Sequence, residues 1–395
     1  MLTPNYLLHA TEPAEEIAEQ LHIDIINRIV KRVLHRFDRG DDYVLTATDK
    51  WQIETLQQAG FLLDDIQKEI ASATGRMQSE IAEAMEDAGV QAMEYEDSIY
   101  LDAGFEPVPL TQSPYMISVM QRDYEATMGD WENFTRTTVN AAHQAFIHVC
   151  DTAYRNAVTG SVSPSQAVVE ALSSLISHGV EVRYASGRVD TIETATARAV
   201  RTGISQASAH IQMERMNEFG VDLVIVSSHL GARPEHAEWQ GKIYSRTGTG
   251  YPDFEKSTGY GSVTGLCGAN CRHSFSPWFE GQGNPFAEYD SEENKKQYEL
   301  EQRQRTLERR IRDTKREVMA WDTARQSAQG SFKDMIERDY QRKAALLQKQ
   351  NAAYNQFCSE TGQKKRNERI QIAKWNRTEA AKARAAAKRY NEDKE

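Results

Sequence analysis

The sequence predicts a mainly α-helical protein of long helices, with a small α+β, glycine-rich module at about 222–282 and a helical C-terminal tail. Three observations carry this expectation. Long stretches repeat apolar residues at three- and four-residue spacing among charged and alanine-rich positions. Between Leu223 and Gly281 that pattern stops and glycines crowd in from Gly231 to Gly268, favouring turns over long regular elements. Beyond the module, Glu, Lys, Arg, Gln and Ala dominate again.

The elements follow in order. Pro13 with acids behind it sets a helix start, and Leu21, Ile25, Ile26, Ile29 and Val33 give residues 13–38 one apolar face. Asp38-Arg39-Gly40 is its expected stop. A second helix runs from Thr48 to about Asp87 through Trp51, Ile53, Leu56, Phe61, Leu62, Ile66 and Ile70, with Gly60 and Gly75 as breaks or close-packing points. Residues 103–114 (AGFEPVPLTQSP) read as a linker. Helices are then expected at about 115–128, 131–157, 164–178 and 190–218, with Ser163-Pro164 opening the third and Gly220 closing the fourth. VEVRYASGRVD (180–190) reads as a short strand, a turn at Ser186-Gly187 and the next helix start. VDLVIVSS reads as a buried strand. Helix resumes over 286–349 with Gly330 as its main breaker, and 364–390 reads as a final basic helix. The apolar stripe of 286–349 is thin (Tyr298, Leu300, Leu307, Ile311, Val318, Met319, Trp321), which predicts a coiled-coil hairpin or a helix lying on a partner rather than a core of its own. The division expected from this pass is 1–110, 111–221, 222–282 and 283–395.

The 395 residues are 39% hydrophobic and 27% charged, with no apolar run long enough to span a membrane. The first residues lack the basic and apolar regions of a secretory signal. Four cysteines form no disulfide framework, so synthesis in a reducing cytoplasm is expected. Charge is divided unevenly: residues 291–395 hold 26 Lys/Arg against 17 Asp/Glu, a net of +9, within a chain of net −11. An acidic body with a basic tail suits different partners at each end.

Three chemistries fit the module. In the first, Cys267 and Cys271, spaced C-x3-C, join His229, His236 and His273 around a structural zinc, which can drive folding of a small module. In the second, His236 acts as a general base, with Glu235 and Glu238 beside it and Arg233 to steady an anion. No companion nucleophile stands out, and no nucleophile elbow surrounds Ser227 and Ser228. In the third, Arg233, Trp239, Tyr244, Tyr260 and Trp278 pack as a rigid plug, and the cysteines are small buried hydrophobes. The residues alone leave the three open.

The same stretch carries a family resemblance. SSHLGARPEHAEWQGKIYS, followed by TGYGSVTGLCGANCRHSFSPWFEG, resembles the hallmark of the phage minor capsid protein 2 family. Its skeleton of Arg233, Pro234, His236 and Gly241, with Trp239 between, then Asn270-Cys271-Arg272, is similar to the motif of Mu-type phage head-morphogenesis proteins. That wider pattern ends in a cysteine where this chain has His273, a change that keeps or abandons a ligand role. The resemblance is close over the module and looser over 187–203. It implies a virion protein of the phage head, made in the bacterial host cytoplasm, present in multiple copies and binding the portal and other capsid proteins. It implies binding, not catalysis, and no membrane contact. On this reading the basic tail 291–395 would lie against packaged DNA by neutralising phosphates. The other functions to be weighed are a phage-encoded hydrolase or nuclease using His236 and Arg233, and a DNA-binding protein ejected with the genome.

Overall fold

The computed structural model describes residues 2–37, 48–160, 162–184 and 187–393. The expected stop at Asp38-Arg39-Gly40 and the turn residue Ser186 lie outside them, as do the side chains of Trp51 and Ile53. The described helices are α1 (Pro4–His9), α2 (Glu12–Phe37), α3 (Thr48–Asp102), α4 (Pro114–Val158), α5 (Pro164–His178), α6 (Ile192–Phe219), α7 (Pro234–Ala237), α8 (Phe254–Thr258), α9 (Ser291–Ser327), α10 (Lys333–Thr361) and α11 (Arg377–Glu392). Strands β1 (Glu181–Arg183) and β2 (Val189–Thr191) form an antiparallel hairpin. Strands β3 (Leu223–Val226), β4 (Ile243–Ser245) and β5 (Phe275–Pro277) form an antiparallel sheet with β3 in the centre. The chain is mainly α-helical, with a small sheet in the glycine-rich module, as the sequence predicts.

Two compact units are built from interleaved stretches: Met1–Glu15, Arg76–Asn133 and Thr194–Gln302 in the first, and Glu16–Gly75, Phe134–Glu193 and Arg303–Glu395 in the second. Helices α2, α3, α4, α6 and α9 each supply residues to both.

The first unit centres on the β3 sheet. Leu223-Val224-Ile225-Val226 is a short run rich in β-branched residues, the composition that favours a pleated, buried strand. Val224 and Val226 are fully buried and pack with Tyr244, Phe254, Leu266, Cys267, Cys271 and Phe275. Gly220, at φ +65°, lets Val221 N–H reach back to Met216 carbonyl and end α6 just ahead of this strand. Phe105, in the segment expected as a linker, packs against Tyr100 and Phe219.

The second unit contains α5, whose start is capped by the Ser163 hydroxyl accepting from Gln166 N–H, with Pro164 in the first turn. It also buries an ionic group. Arg316 pairs with Glu19 (3.0 Å) and Glu193, while His22 Nδ1 donates to Glu193 at 2.9 Å. Val180 N–H donates to His22 Nε2, which settles the tautomer. Burial alone would raise the Glu193 carboxyl; Arg316 and His22 outweigh it and hold the group well below the usual carboxylate range.

Several sequence expectations are corrected. Helix α3 runs unbroken through Gly60 and Gly75, and a Cβ at either would meet nothing within 4 Å, so neither is a break or a close-packing point. The expected helices at 115–128 and 131–157 are one, α4; an internal glycine such as Gly129 costs only about 1 kcal/mol and does not stop a helix with apolar positions on both sides. Residues 180–190 hold two strands, because Val189–Thr191 pairs with Glu181–Arg183. The tail has its own buried residues despite the thin stripe: Trp321 is fully buried, and Tyr340 and Tyr354 nearly so, each aromatic covering more area than the aliphatics that the stripe lacks. Residues 364–376 are not α-helical. Arg366 N–H donates to Tyr354 Oη instead, and α11 starts only at Arg377, capped by Asn376.

Candidate metal centre

The module places its polar residues on short loops around the sheet. Arg233 is the N-cap residue of α7 and Pro234 its first residue, where the missing N–H costs nothing. One turn of helix then carries His236 inward, 2% exposed. On the other block, Cys267 and Asn270 adopt left-handed backbone angles, φ +60° and +58°, which fold the chain tightly ahead of Cys271. Gly265 belongs to the same turn for another reason: a Cβ there would lie 2.0 Å from Gly259 carbonyl oxygen. Arg272 reaches Glu301 at 3.2 Å, and His273 enters the core just before β5.

Among the described residues, His236, Cys271 and His273 form the one group of potential metal ligands, with a donor atom from each within 4.8 Å of the others. Cys271 Sγ lies 3.7 Å from His236 Nδ1 and 3.8 Å from His273 Nδ1. The far nitrogens are both occupied. His236 Nε2 meets Thr264 carbonyl at 2.9 Å and His273 Nε2 meets Gln240 Oε1 at 3.1 Å. A carbonyl oxygen only accepts, so Nε2 of His236 carries the proton. Gln240 Oε1 also accepts from His229 N–H at 3.0 Å, which fixes it as the oxygen and puts the His273 proton on Nε2 as well. Burial pushes both imidazoles down, His273 well below the usual range, so both are neutral and both Nδ1 lone pairs face Cys271.

The sulfur in turn is an acceptor. His273 N–H donates to Cys271 Sγ at 3.4 Å. Burial is the larger influence and raises the thiol, while this bond favours the thiolate.

The remaining expected residues fall around this triad. His229 stacks on His273 with ring centroids 4.5 Å apart but stands outside the ligand grouping; burial takes it down to about 4. Cys267 is buried beside the triad and also outside it, its Sγ 3.9 Å from His273 carbonyl oxygen. Trp239 lies edge-on to His273, at 4.9 Å. Gly241 turns the chain into β4, its N–H on Val226 carbonyl. The Arg233 guanidinium donates to Ala269 carbonyl at 3.0 Å and ties the first motif block to the second. Nothing in the sequence singles out Gln240, Thr264 or Asn294 as functional. Gln240 sits inside the motif, but as one more polar residue; nothing marks Asn294 at all.

The motif blocks thus meet as one buried structure, and comparison with known proteins gives its setting. The sequence model of the family described as Phage minor capsid protein 2 matches residues 2–359. The chain belongs to that family. The match extends far beyond the motif, through the long helices on both sides of it. A protein described as "Structural protein" of Lactococcus phage LL-H is 25% identical over 226 residues, covering 55% of this chain and 61% of that relative. The chain therefore spans less than two thirds of the relative's length. No solved structure matches it.

Proposed function

We propose that this minor capsid protein is a head-morphogenesis component held at the portal or on the inside of the phage head, where it acts by binding protein. The observation that carries the reading is the family match over residues 2–359, with the phage structural relative in its support. The geometry of the module points the same way. A general base must reach a substrate proton, yet His236 is 2% exposed with both nitrogens engaged. The Arg233 side chain is committed to Ala269 carbonyl. This weighs against a hydrolase or nuclease built on that pair. The portal, other capsid proteins and packaged DNA are the proposed partners.

Quantitative mass spectrometry of purified virions, before and after genome release, tests the reading. A few copies per particle that remain with the emptied head are expected. Copies that leave with the DNA would make this an ejected protein, and absence from the particle would make it an assembly factor.

A further inference from the structure

We propose that His236 Nδ1, Cys271 Sγ and His273 Nδ1 bind one zinc ion, and that this ion clamps the two motif blocks together.

The distances fit. Zinc bonds of about 2.0–2.1 Å to nitrogen and 2.3 Å to sulfur place tetrahedral ligands about 3.6 Å apart across an N···S edge. The two edges here are 3.7 and 3.8 Å. The protonation pattern fits as well. Among the described residues the Cys271 thiol is the one donor placed at either Nδ1, and it has a single proton for two lone pairs. A closed, metal-free site would leave one buried imidazole nitrogen unsatisfied, an arrangement that costs free energy. A divalent cation satisfies both lone pairs and the sulfur together, releasing the thiol proton to solvent as it binds.

The surrounding groups match an outer shell for such an ion. Each ligand imidazole donates its far N–H to a carbonyl oxygen, which fixes ring orientation and aims Nδ1. The His273 backbone N–H donates to the sulfur, as suits a thiolate ligand. Imidazole with thiolate selects zinc over magnesium or calcium, which prefer oxygen. All three donors belong to residues 1–2% exposed, so the ion would be held for structure and would not meet substrate. Placing His273 where related motifs carry cysteine exchanges one ligand type for another and keeps the site.

The test uses the full chain, purified and exchanged into metal-free buffer. Elemental analysis should return about one zinc per chain, and prolonged chelation should lower the thermal midpoint by roughly 5 °C or more. Cys271→Ser should lose the metal, while Cys267→Ser and His229→Ala should keep it. Should Cys271→Ser fail to fold, cobalt exchanged into the wild type decides: thiolate-to-cobalt charge transfer with tetrahedral visible bands supports the site. A folded wild-type chain that takes up neither zinc nor cobalt from excess overturns it. Loss of metal in Cys267→Ser overturns the three-ligand set.

Discussion

Glu96 shows what a single buried group imposes on this molecule. It is fully buried on α3, and Gln212 on α6 donates to its carboxylate. Burial pushes the carboxyl from 4.5 up to about 8, against the opposing pull of Gln212 and Arg215. The folded chain therefore keeps a proton that the unfolded chain releases, and stability falls as pH rises from about 4.5 to about 8. Glu96→Gln removes that dependence while leaving an oxygen for Gln212. Its thermal midpoint should exceed the wild type's at pH 8 by roughly 5 °C, with the gap closing near pH 4.5. Equal midpoints at both pH values would refute the protonated carboxyl. At this scale the sequence is legible only where residue type is itself chemical. His236, Cys271 and His273 stand out because imidazole and thiol are ligands. Gln240 and Thr264, which aim those imidazoles, have types found everywhere, and Thr264 acts through its backbone.

Between elements, the first turn of α9 holds the module. Asn294 is 3% exposed; its Oδ1 accepts from Gly231 and Ala232 N–H at 2.9 and 3.0 Å, and its Nδ2 donates to Ala232 carbonyl at 2.8 Å. One side chain thus closes three backbone groups just ahead of Arg233. Asn294→Ala would strand two buried N–H groups, at an expected cost of about 2–4 kcal/mol. Asn294→Asp keeps both accepted bonds but sets its second oxygen against Ala232 carbonyl, so it should cost less than alanine only at acid pH, where that oxygen is protonated and donates. Thermal or urea denaturation of both variants reads the order, and an alanine variant as stable as the wild type would show that the turn stands without Asn294. The long helices were legible because a 3.6-residue period persists over many turns. Their continuity was not, since Gly60 and Gly75 look like breaks or close-packing points and Gly129 falls between two expected helices, yet all three lie within unbroken helix. Likewise, β2 is three residues long and exists only by pairing with β1.

For the whole molecule, the sequence reveals the charge imbalance but not how the charges are spent. Part of the basic excess after residue 291 is used internally. Arg316 pairs with Glu19 and Glu193, Lys343 with Glu317 and Lys382 with Asp322, while Arg312 and Lys315 donate to the carbonyls of Arg369 and Ile370. Arg309, Arg310, Lys349, Lys364 and Lys365 remain exposed. Those five are among the residues through which the tail would meet packaged DNA, with Lys295, Lys296, Lys333, Arg338, Arg377 and Arg384 also exposed. Deleting 291–395 cannot test that contact, because it would also remove Asn294 and Glu301 from the module. Neutralising the five exposed residues to alanine can. Each lost phosphate contact lowers the salt dependence of DNA binding by about 0.9 in log–log slope. The variant should elute from a DNA column at lower salt than the wild type, with stability unchanged to within about 0.5 kcal/mol per surface substitution. Elution at the same salt would clear these five of contact with DNA and leave the tail's other exposed basic residues as the candidates.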